Sequence, residues 1–572
     1  MIKKIFYLIN NTSENLKYKI FILQILIFIN SIAQLISILS IAPLISILSN
    51  HELISYEFLK PIINLINFNY SKNDLIIILS FFVLIIFTLS NILSAVTYSM
   101  QYRIAMQFEV EFSQKMVEKF FYQKKNIGTQ KNSYYFKSIV EKEIPNVISH
   151  VIIPLCDLNN KIIPLILTLL LILFISPIAS LVVFVFLALG YASIYFLIKR
   201  KLNKNSLLIS NYLSENTIIV DDLFRSFKES KIFNFERFLI NSFVVFKKKI
   251  NKIIGSNLIL NGSPKHFFEI IAILILVIII IIFALKSEFN NSLPIISIYI
   301  VAGYRIMPGL QSILFAVSNI KGATESLRKL HFAILLKSEK IIKEIKTNNI
   351  RKISLKNFDF DYNKKKLFKN CNIEFHKNKI TGISGVSGSG KSTLIDLIVG
   401  FKTFSKGSYY VNDKKIINNN NQIFQNTSIV PQNIFLLNNS IITNITFQKI
   451  LSKENYKKLL EILKILKLQN LYKKNKIINK NIKEFGKNFS GGQIQRIGLA
   501  RALFKNSEII ILDEFTSALD EHTEQFIFKK IKKIFKNKMV IIVSHRNNIL
   551  KKCDTVFSLK DHKISKIYQK KI

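Results

Sequence analysis

The stretch ITGISGVSGSGKST, from Ile380 to Thr393, decides the fold of the C-terminal part of this chain. It passes from an apolar strand into a Gly-rich loop and then into a helix opening Leu394-Ile395, which matches the phosphate-binding pattern GxxxxGK[ST]. Across Gly385, Val386, Ser387, Gly388, Ser389 and Gly390, the glycines let successive backbone N–H groups turn inward and cradle phosphate oxygens. The following helix N-terminus adds its positive end to the same place. Lys391 is positioned to neutralise β- and γ-phosphates, and Ser392, with Thr393 beside it, to ligate Mg²⁺. The implied ligand is a nucleoside triphosphate with magnesium.

Downstream, Ile509–Leu512 is an apolar strand that reads directly into Asp513 and Glu514. A carboxylate at the C-terminal edge of such a strand is placed to hold Mg²⁺ through water, the role expected of Asp513. Glu514, one residue further, can polarise an attacking water as general base. Two acids after an apolar run also occur at plain solvated strand ends; the phosphate loop upstream favours the catalytic reading.

Between these elements lies Phe489-Ser490-Gly491-Gly492-Gln493, running into a helix through Arg496 and Arg501. With it the chain resembles the ATP-binding-cassette superfamily over essentially all of residues 351–572, the family signature LSGGQ standing here as FSGGQ. The resemblance implies an α/β phosphate-loop ATPase using ATP and Mg²⁺. It also implies further roles: Gln432, in Val430-Pro431-Gln432, as a sensor of Mg²⁺ and water; His545, in Ser544-His545-Arg546, as the switch histidine; Ser517 and Asp520 as the D-loop. Tyr362 stands 29 residues before Lys391, where the family stacks an aromatic on adenine; core packing is the other reading of Tyr362. In this family ATP is sandwiched between one cassette's phosphate loop and the Ser490, Gly491, Gly492 and Gln493 equivalents of another. The expected partner is therefore a second copy, as a homodimer, or a similar half-transporter. Lys483 to Gly486 (KEFG) departs from the usual GExG of exporters.

The first half has a different grammar. A bilayer core of ~30 Å needs ~20 mostly apolar helical residues. Ile20–Leu48, Leu75–Met100, Phe267–Leu285 and Ser292–Ile320 qualify, and Ile162–Ile198 runs 37 residues without a charge. At ~1.5 Å per residue that run is far too long for one crossing. Ser176-Pro177 is its natural break, because proline removes a helical donor and restricts its predecessor; the earlier helix is expected to start near Val147. Six spans result. The fold class is thus a six-span α-helical membrane domain of exporter type over residues 1–330, a linker at 331–350, and the ATPase at 351–572.

Loop charge gives orientation. Lys3, Lys4, Lys17 and Lys19 precede the first span, Arg103 to Lys125 follow the second, and Lys199-Arg200-Lys201 follow the fourth. Both termini are expected in the cytoplasm, with the chain in the cell inner membrane. The N-terminus lacks the small-residue cleavage site of a secretory signal. Residues 101–146 and 199–266 are too long for turns and are expected to continue as helices below the membrane.

The net charge of +44, of which +27 falls in residues 351–572, is scattered rather than gathered in a stripe. That favours codon bias or anionic lipid over nucleic acid as its cause. Cys156, Cys371 and Cys553 stand too far apart for a zinc knuckle or a disulfide framework. Asp157 and Lys161 share a helix face. Arg305 sits mid-span without a local carboxylate and reads either as an attractor of anionic substrate or as a cation that snorkels or pairs with another helix.

Residues 226–238, 263–269 and 304–308 resemble lipid-linked oligosaccharide flippases of bacterial protein glycosylation. The apolar spacing of His51–Asn69 fits those proteins' external helix, or an ordinary capping loop. That resemblance implies a lipid-linked glycan as substrate. Other amphiphiles, and a nucleotide-gated regulator without transport, are the alternatives.

Overall fold

The computed structural model describes residues 2–48, 72–121, 135–285, 289–336, 349–362, 365–416, 423, 425–468, 489–517 and 519–569. They gather into two compact units, one within residues 1–338 and one within 339–572.

The first unit is helical: α1 (Ile2–Asn10), α2 (Glu14–Leu39), α3 (Ile41–Leu48), α4 (Lys72–Phe121), α5 (Tyr135–Ile175), α6 (Pro177–Arg225), α7 (Phe227–Phe233), α8 (Glu236–Gly262), α9 (Pro264–Leu285), α10 (Phe289–Gly322) and α11 (Thr324–Leu335). Among the described residues, five stretches are long and apolar enough to cross a membrane: Glu14–Leu48, Asn73–Phe121, Tyr135–Ile175, Glu236–Ile282 and Ile295–Gly322. The sixth span expected from the sequence corresponds to a shorter apolar helix, Pro177–Ser193, which opens the 49-residue α6. α4 has 50 residues, ~75 Å at ~1.5 Å per residue, so both helices run well past a bilayer core. Where described, the extensions expected at 101–146 and 199–266 are helical: the ends of α4 and α6, the start of α5, and α7 and α8.

Pro177 does break the charge-free run. Ser176 is extended (φ −150°, ψ 101°) between α5 and α6, and Tyr299 of α10 donates its hydroxyl to Ser176 O at 3.2 Å. α5, however, begins at Tyr135 rather than near Val147. Its first part contains π turns at Ile139–Glu143 and Ile148–Ile152. Buried Ile139 and Ile144 are five residues apart, a spacing that the wider π turn brings onto one face and a regular α-helix does not.

Polar side chains join the first two long helices: Ser94 of α4 donates to Asn30 Oδ1 at 2.9 Å, and Gln34 donates to Ser94 Oγ at 3.2 Å. Where lipid supplies no water, such bonds act as interhelical glue. Lys119 of α4 donates to the Leu336 carbonyl at 2.9 Å and also to that of Ile334.

The second unit carries β1 (Lys352–Tyr362), β2 (Lys365–His376), β3 (Ile380–Gly385), α12 (Lys391–Val399), β4 (Lys406–Val411), β5 (Lys414–Lys415), β6 (Thr427–Val430), α13 (Ile441–Thr446), α14 (Lys453–Ile465), α15 (Gly491–Lys505), β7 (Ile509–Asp513), α16 (Glu521–Ile534), β8 (Met539–Val543), α17 (Asn547–Leu550), β9 (Thr555–Lys560) and β10 (Lys563–Gln569). One sheet is antiparallel, in the order β2-β1-β4-β5; the other runs β10-β9-β3-β8-β7-β6, parallel except at β10. Ile509–Leu512 and Met539–Val543 are buried along their whole length, as strands covered on both faces must be. At ~1.5–3 kcal/mol per buried aliphatic side chain, this pair is a main source of the unit's cohesion.

Candidate functional site

In a mostly parallel sheet, ligands meet the loops beyond the carboxyl ends of the strands. Four neighbouring strands of this sheet, β3, β8, β7 and β6, end in the phosphate-binding loop, His545, Asp513-Glu514 and Gln432 respectively. Segments as far apart in sequence as 385 and 545 are thus assembled by strand order alone.

The phosphate loop is tight because its neighbours are close. A Cβ on Gly385 would come within 2.9 Å of the Leu559 carbonyl oxygen and 2.5 Å of Ser389 Oγ. Gly390, the N-cap of α12, sits at φ +95°, and a Cβ there would be 2.9 Å from the Phe368 ring. Lys391 donates to the carbonyls of Gly385 at 2.8 Å and Val386 at 3.0 Å. Gly385, Val386, Ser387, Gly388, Ser389 and His545 share one cavity of about 640 Å³. Ser392 and Thr393 lie in the first turn of α12.

Glu514 is the hub. Gln432 Nε2 donates to its Oε2 at 2.7 Å, and His545 Nε2 lies 2.7 Å from its Oε1. The Glu514 backbone has φ +46°, a left-handed conformation that costs a side-chain-bearing residue roughly 1–3 kcal/mol and clusters at functional sites. Its N–H is held by the Val543 carbonyl at 3.0 Å, so the last residue of β8 fixes the turn that follows β7. Burial raises the Asp513 carboxyl above its ordinary range, and adjacent Glu514 raises it further, while Lys391 pulls it down. Burial likewise lowers the Lys391 ammonium, with Glu514 and Asp513 opposing the fall.

The residues expected to act across a seam lie elsewhere on the unit. Ser490 caps α15, accepting from Gln493 N at 3.2 Å, while Gln493 Oε1 accepts from Ser490 N at 2.9 Å. This is a reciprocal capping box, and it leaves Ser490 and Gly491 exposed at a helix N-terminus. Gln495 of the same helix donates to Ser517 Oγ at 2.6 Å, and Asp520 caps α16 by accepting from Thr523 N at 2.8 Å. Gly492 is the second residue of α15. Tyr362 ends β1 opposite Lys365. Lys483–Gly486 and His51–Asn69 lie outside the described residues.

Two partnerships had no counterpart in the sequence reading, and Arg305 has neighbours on other helices, as one of its readings named. Arg501 donates to the carbonyls of Asn444 at 2.5 Å and Phe435 at 2.7 Å. In the helical unit, Gln101 donates to Asp157. Arg305 donates to Ser37 Oγ at 2.8 Å, and its guanidinium lies 5.2 Å from the centroid of Phe87. Its Nε is buried without a hydrogen-bond partner among the described residues. A separate apolar crevice of about 520 Å³ opens among α5, α6, α9 and α10, lined by Ile172, Val183, Ile275, Tyr299 and Met307.

The donor set fits a magnesium nucleotide. Ser389 Oγ is buried with no partner among the described residues, within the loop that matches the phosphate-binding pattern. Ser392, Gln432 and Asp513 offer oxygen ligands, the type Mg²⁺ prefers when it arrives with phosphates. Among the described residues no group of three or more His, Cys, Asp or Glu forms a separate metal site.

Residues 368–517 match the ABC transporter family. The chain is 30% identical over 376 residues to the ATP-dependent lipid A-core flippase of Wigglesworthia glossinidia brevipalpis, covering 64% of this chain and 63% of that one. It is 32% identical over 242 residues to the ATP-dependent lipid A-core flippase of Pasteurella multocida, 41% of each chain. The match thus spans less than two thirds of the length of these relatives. In fold it is similar to a bacterial Atm1-family ABC exporter with ATP bound, at a TM-score of 0.74 and 16% identity, covering 97% of this chain and 95% of that one.

Proposed function

Starting from an ABC transporter ATPase domain carried together with a helical unit in the fold of an ABC exporter, we propose that this chain is one half of an ATP-driven exporter of an amphiphilic, lipid-linked substrate. The observation that carries the proposal is Glu514, held at 2.7 Å by Gln432 on one side and His545 on the other, beyond the strand ends that also present Lys391 and Asp513. In this reading Lys391 and the Gly385–Gly390 backbone bind the triphosphate, and Glu514 takes the proton of the attacking water. His545 keeps Glu514 in place, and Ser392, Gln432 and Asp513 hold Mg²⁺, which offsets phosphate charge. By the resemblance, Tyr362 would be the residue that meets the base.

Each chain carries one phosphate loop and one FSGGQ segment, so a complete site takes Ser490, Gly491, Gly492 and Gln493 from a second copy or from a similar half. The exposed, capped N-terminus of α15 supports this, because its free N–H groups suit an anion. Association on ATP and separation after hydrolysis are the two states that drive the helical unit. The multi-pass unit would lie in the inner membrane with the ATPase in the cytoplasm.

For the substrate, the three stretches resembling lipid-linked oligosaccharide flippases support a glycan on a polyprenyl pyrophosphate, whose negative charge Arg305 would meet. The names of the two relatives favour a second reading, a lipid A-type glycolipid. Both carry acidic head groups and long apolar chains.

The test of hydrolysis is Glu514→Gln in the full chain: ATP still binds, and turnover drops by ~10²–10⁴-fold, the usual worth of a general base. Retained turnover removes Glu514 from that role. The substrate reading is tested in proteoliposomes with labelled lipid-linked glycan and, in parallel, labelled lipid A. Movement of neither under ATP hydrolysis rejects both.

A further inference from the structure

The hydrolytic group ends on a histidine that is half exposed. His545 is 48% exposed at its side chain, against 19% for Glu514, and it sits in the short connection between β8 and α17. A side chain so placed samples several rotamers unless something holds its backbone, and a base-orienting group loses much of its value when it wanders.

What holds it is next door. Arg546 forms an ion pair through Nη1 with Oε2 of Glu524. Glu524 lies in the first turns of α16 and is only 5% exposed, a burial that a carboxylate accepts when it is paired. Arg546 N also donates to Ser544 Oγ at 3.0 Å, so both sides of His545 are tied. The far end is tied too. Glu524 N bonds the Asp520 carbonyl at 2.9 Å, Asp520 caps α16, and Ser517 of the same loop accepts from Gln495 of α15.

We infer that Glu524 is a positioning residue for ATP hydrolysis: through Arg546 it fixes the His545 connection to the N-terminal end of α16, and so sets His545 against Glu514. The helix that begins at Gly491 is itself tied, through Gln495, to Ser517, three residues before the Asp520 cap of α16. A burial-only role for Glu524 predicts lost stability. A positioning role predicts a loss that depends on His545 being present.

The inference rests on the ATPase reading above, so wild-type turnover is measured first in the full chain; no turnover there sinks that reading, not this one. Given turnover, Glu524→Gln and Arg546→Gln are each expected to lower kcat about 10–100-fold with KM for ATP within about threefold, because ground-state binding is untouched. Arg546→Lys, which keeps the charge, is expected to recover at least half of that loss on a logarithmic scale. The decisive measurement is a double-mutant cycle with His545→Ala: adding Glu524→Gln in that background should cost less than about twofold. Arg546 is 44% exposed at its side chain, so Arg546→Gln carries the same cycle if Glu524→Gln does not fold. Wild-type kcat in both single variants, or the same fold-loss with and without His545, overturns the inference.

Discussion

The two units of this chain solve opposite problems with the same amino acids. In the ATPase unit, several buried polar groups are held by specific partners: Lys391 on the loop carbonyls, Asn444 and Gln495 in hydrogen bonds, Glu524 in an ion pair. In the helical unit, apolar side chains point outward as well as inward. Phe81, Leu84, Leu89 and Ile92 of α4 are all more than half exposed, as suits a helix long and apolar enough to cross a membrane. The lesson concerns where information lies. Chemistry at strand ends dictates residue type and spacing, whereas a bilayer dictates little beyond length and polarity.

The sharpest break of this contrast is at the phosphate loop. Gly390→Val adds a branched side chain at φ +95° and drives its Cβ toward Phe368 and Leu367. Nucleotide binding, followed by fluorescence titration of the purified chain with magnesium ATP, is expected to disappear, and removal of Mg²⁺ with EDTA from the wild type should abolish turnover. Normal ATP binding by the Gly390→Val chain would mean that the loop does not need its observed backbone.

Next in size is a residue without any role in the chemistry. Asn444 is fully buried; its amide donates to the carbonyls of Leu437, Asn439 and Ser440 at 2.9, 3.2 and 3.0 Å, and its oxygen accepts from Leu437 N and Arg501. Asn444→Ala strands several buried groups at once, each costing ~1–3 kcal/mol, so a loss of roughly 2–4 kcal/mol is expected after partial relaxation. The check is a lowered unfolding midpoint of the ATPase unit by thermal scanning with unchanged KM for ATP.

Asn444 also marks the limit of what could be read from letters. The phosphate loop, Asp513-Glu514 and FSGGQ stood out in the sequence because each is a short contiguous run of characteristic residue types. Asn444 stands in a chain crowded with asparagine, and nothing in Ile441–Thr446 separates it from a surface residue. Glu514 was legible as an acid after a strand, but its left-handed backbone follows from contact with Val543, a tertiary fact. In the helical unit, the break at Ser176-Pro177 was visible because proline acts locally. The π turns that carry α5 back to Tyr135 were not, since a five-residue spacing looks irregular until a facing surface is known. Arg305 was conspicuous as a lone charge, yet Ser37 lies 268 positions away.

Arg305 therefore offers the third comparison, between a charge used for chemistry and a charge held by neighbours. If it meets an anionic head group, Arg305→Ala should lower transport about tenfold, equivalent to ~1.4 kcal/mol, with ATPase activity in detergent within twofold of wild type. Arg305→Lys should recover part of the loss, because the charge remains while the guanidinium's bond to Ser37 and its contact with Phe87 weaken. Unchanged transport would show that Ser37 and Phe87 are its whole purpose.

The smallest expected effect tests the helical unit on its own terms. Ser94 bridges Asn30 and Gln34 across α2 and α4, and its hydroxyl also bonds the Ser90 carbonyl at 2.9 Å. In water such a bond exchanges with solvent; in a bilayer the unfolded helices find other partners, so interhelical polar bonds average only ~0.6 kcal/mol and reach ~1.7 kcal/mol. Ser94→Ala should therefore cost about 0.6–1.7 kcal/mol, read as a small drop in the thermal midpoint of the detergent-solubilised chain, and leave ATP turnover alone. A loss as large as that of Asn444→Ala would mean that this part of the helical unit is organised like the ATPase core, around dedicated polar groups, and the contrast between the two units would fail at the place where it is drawn most finely.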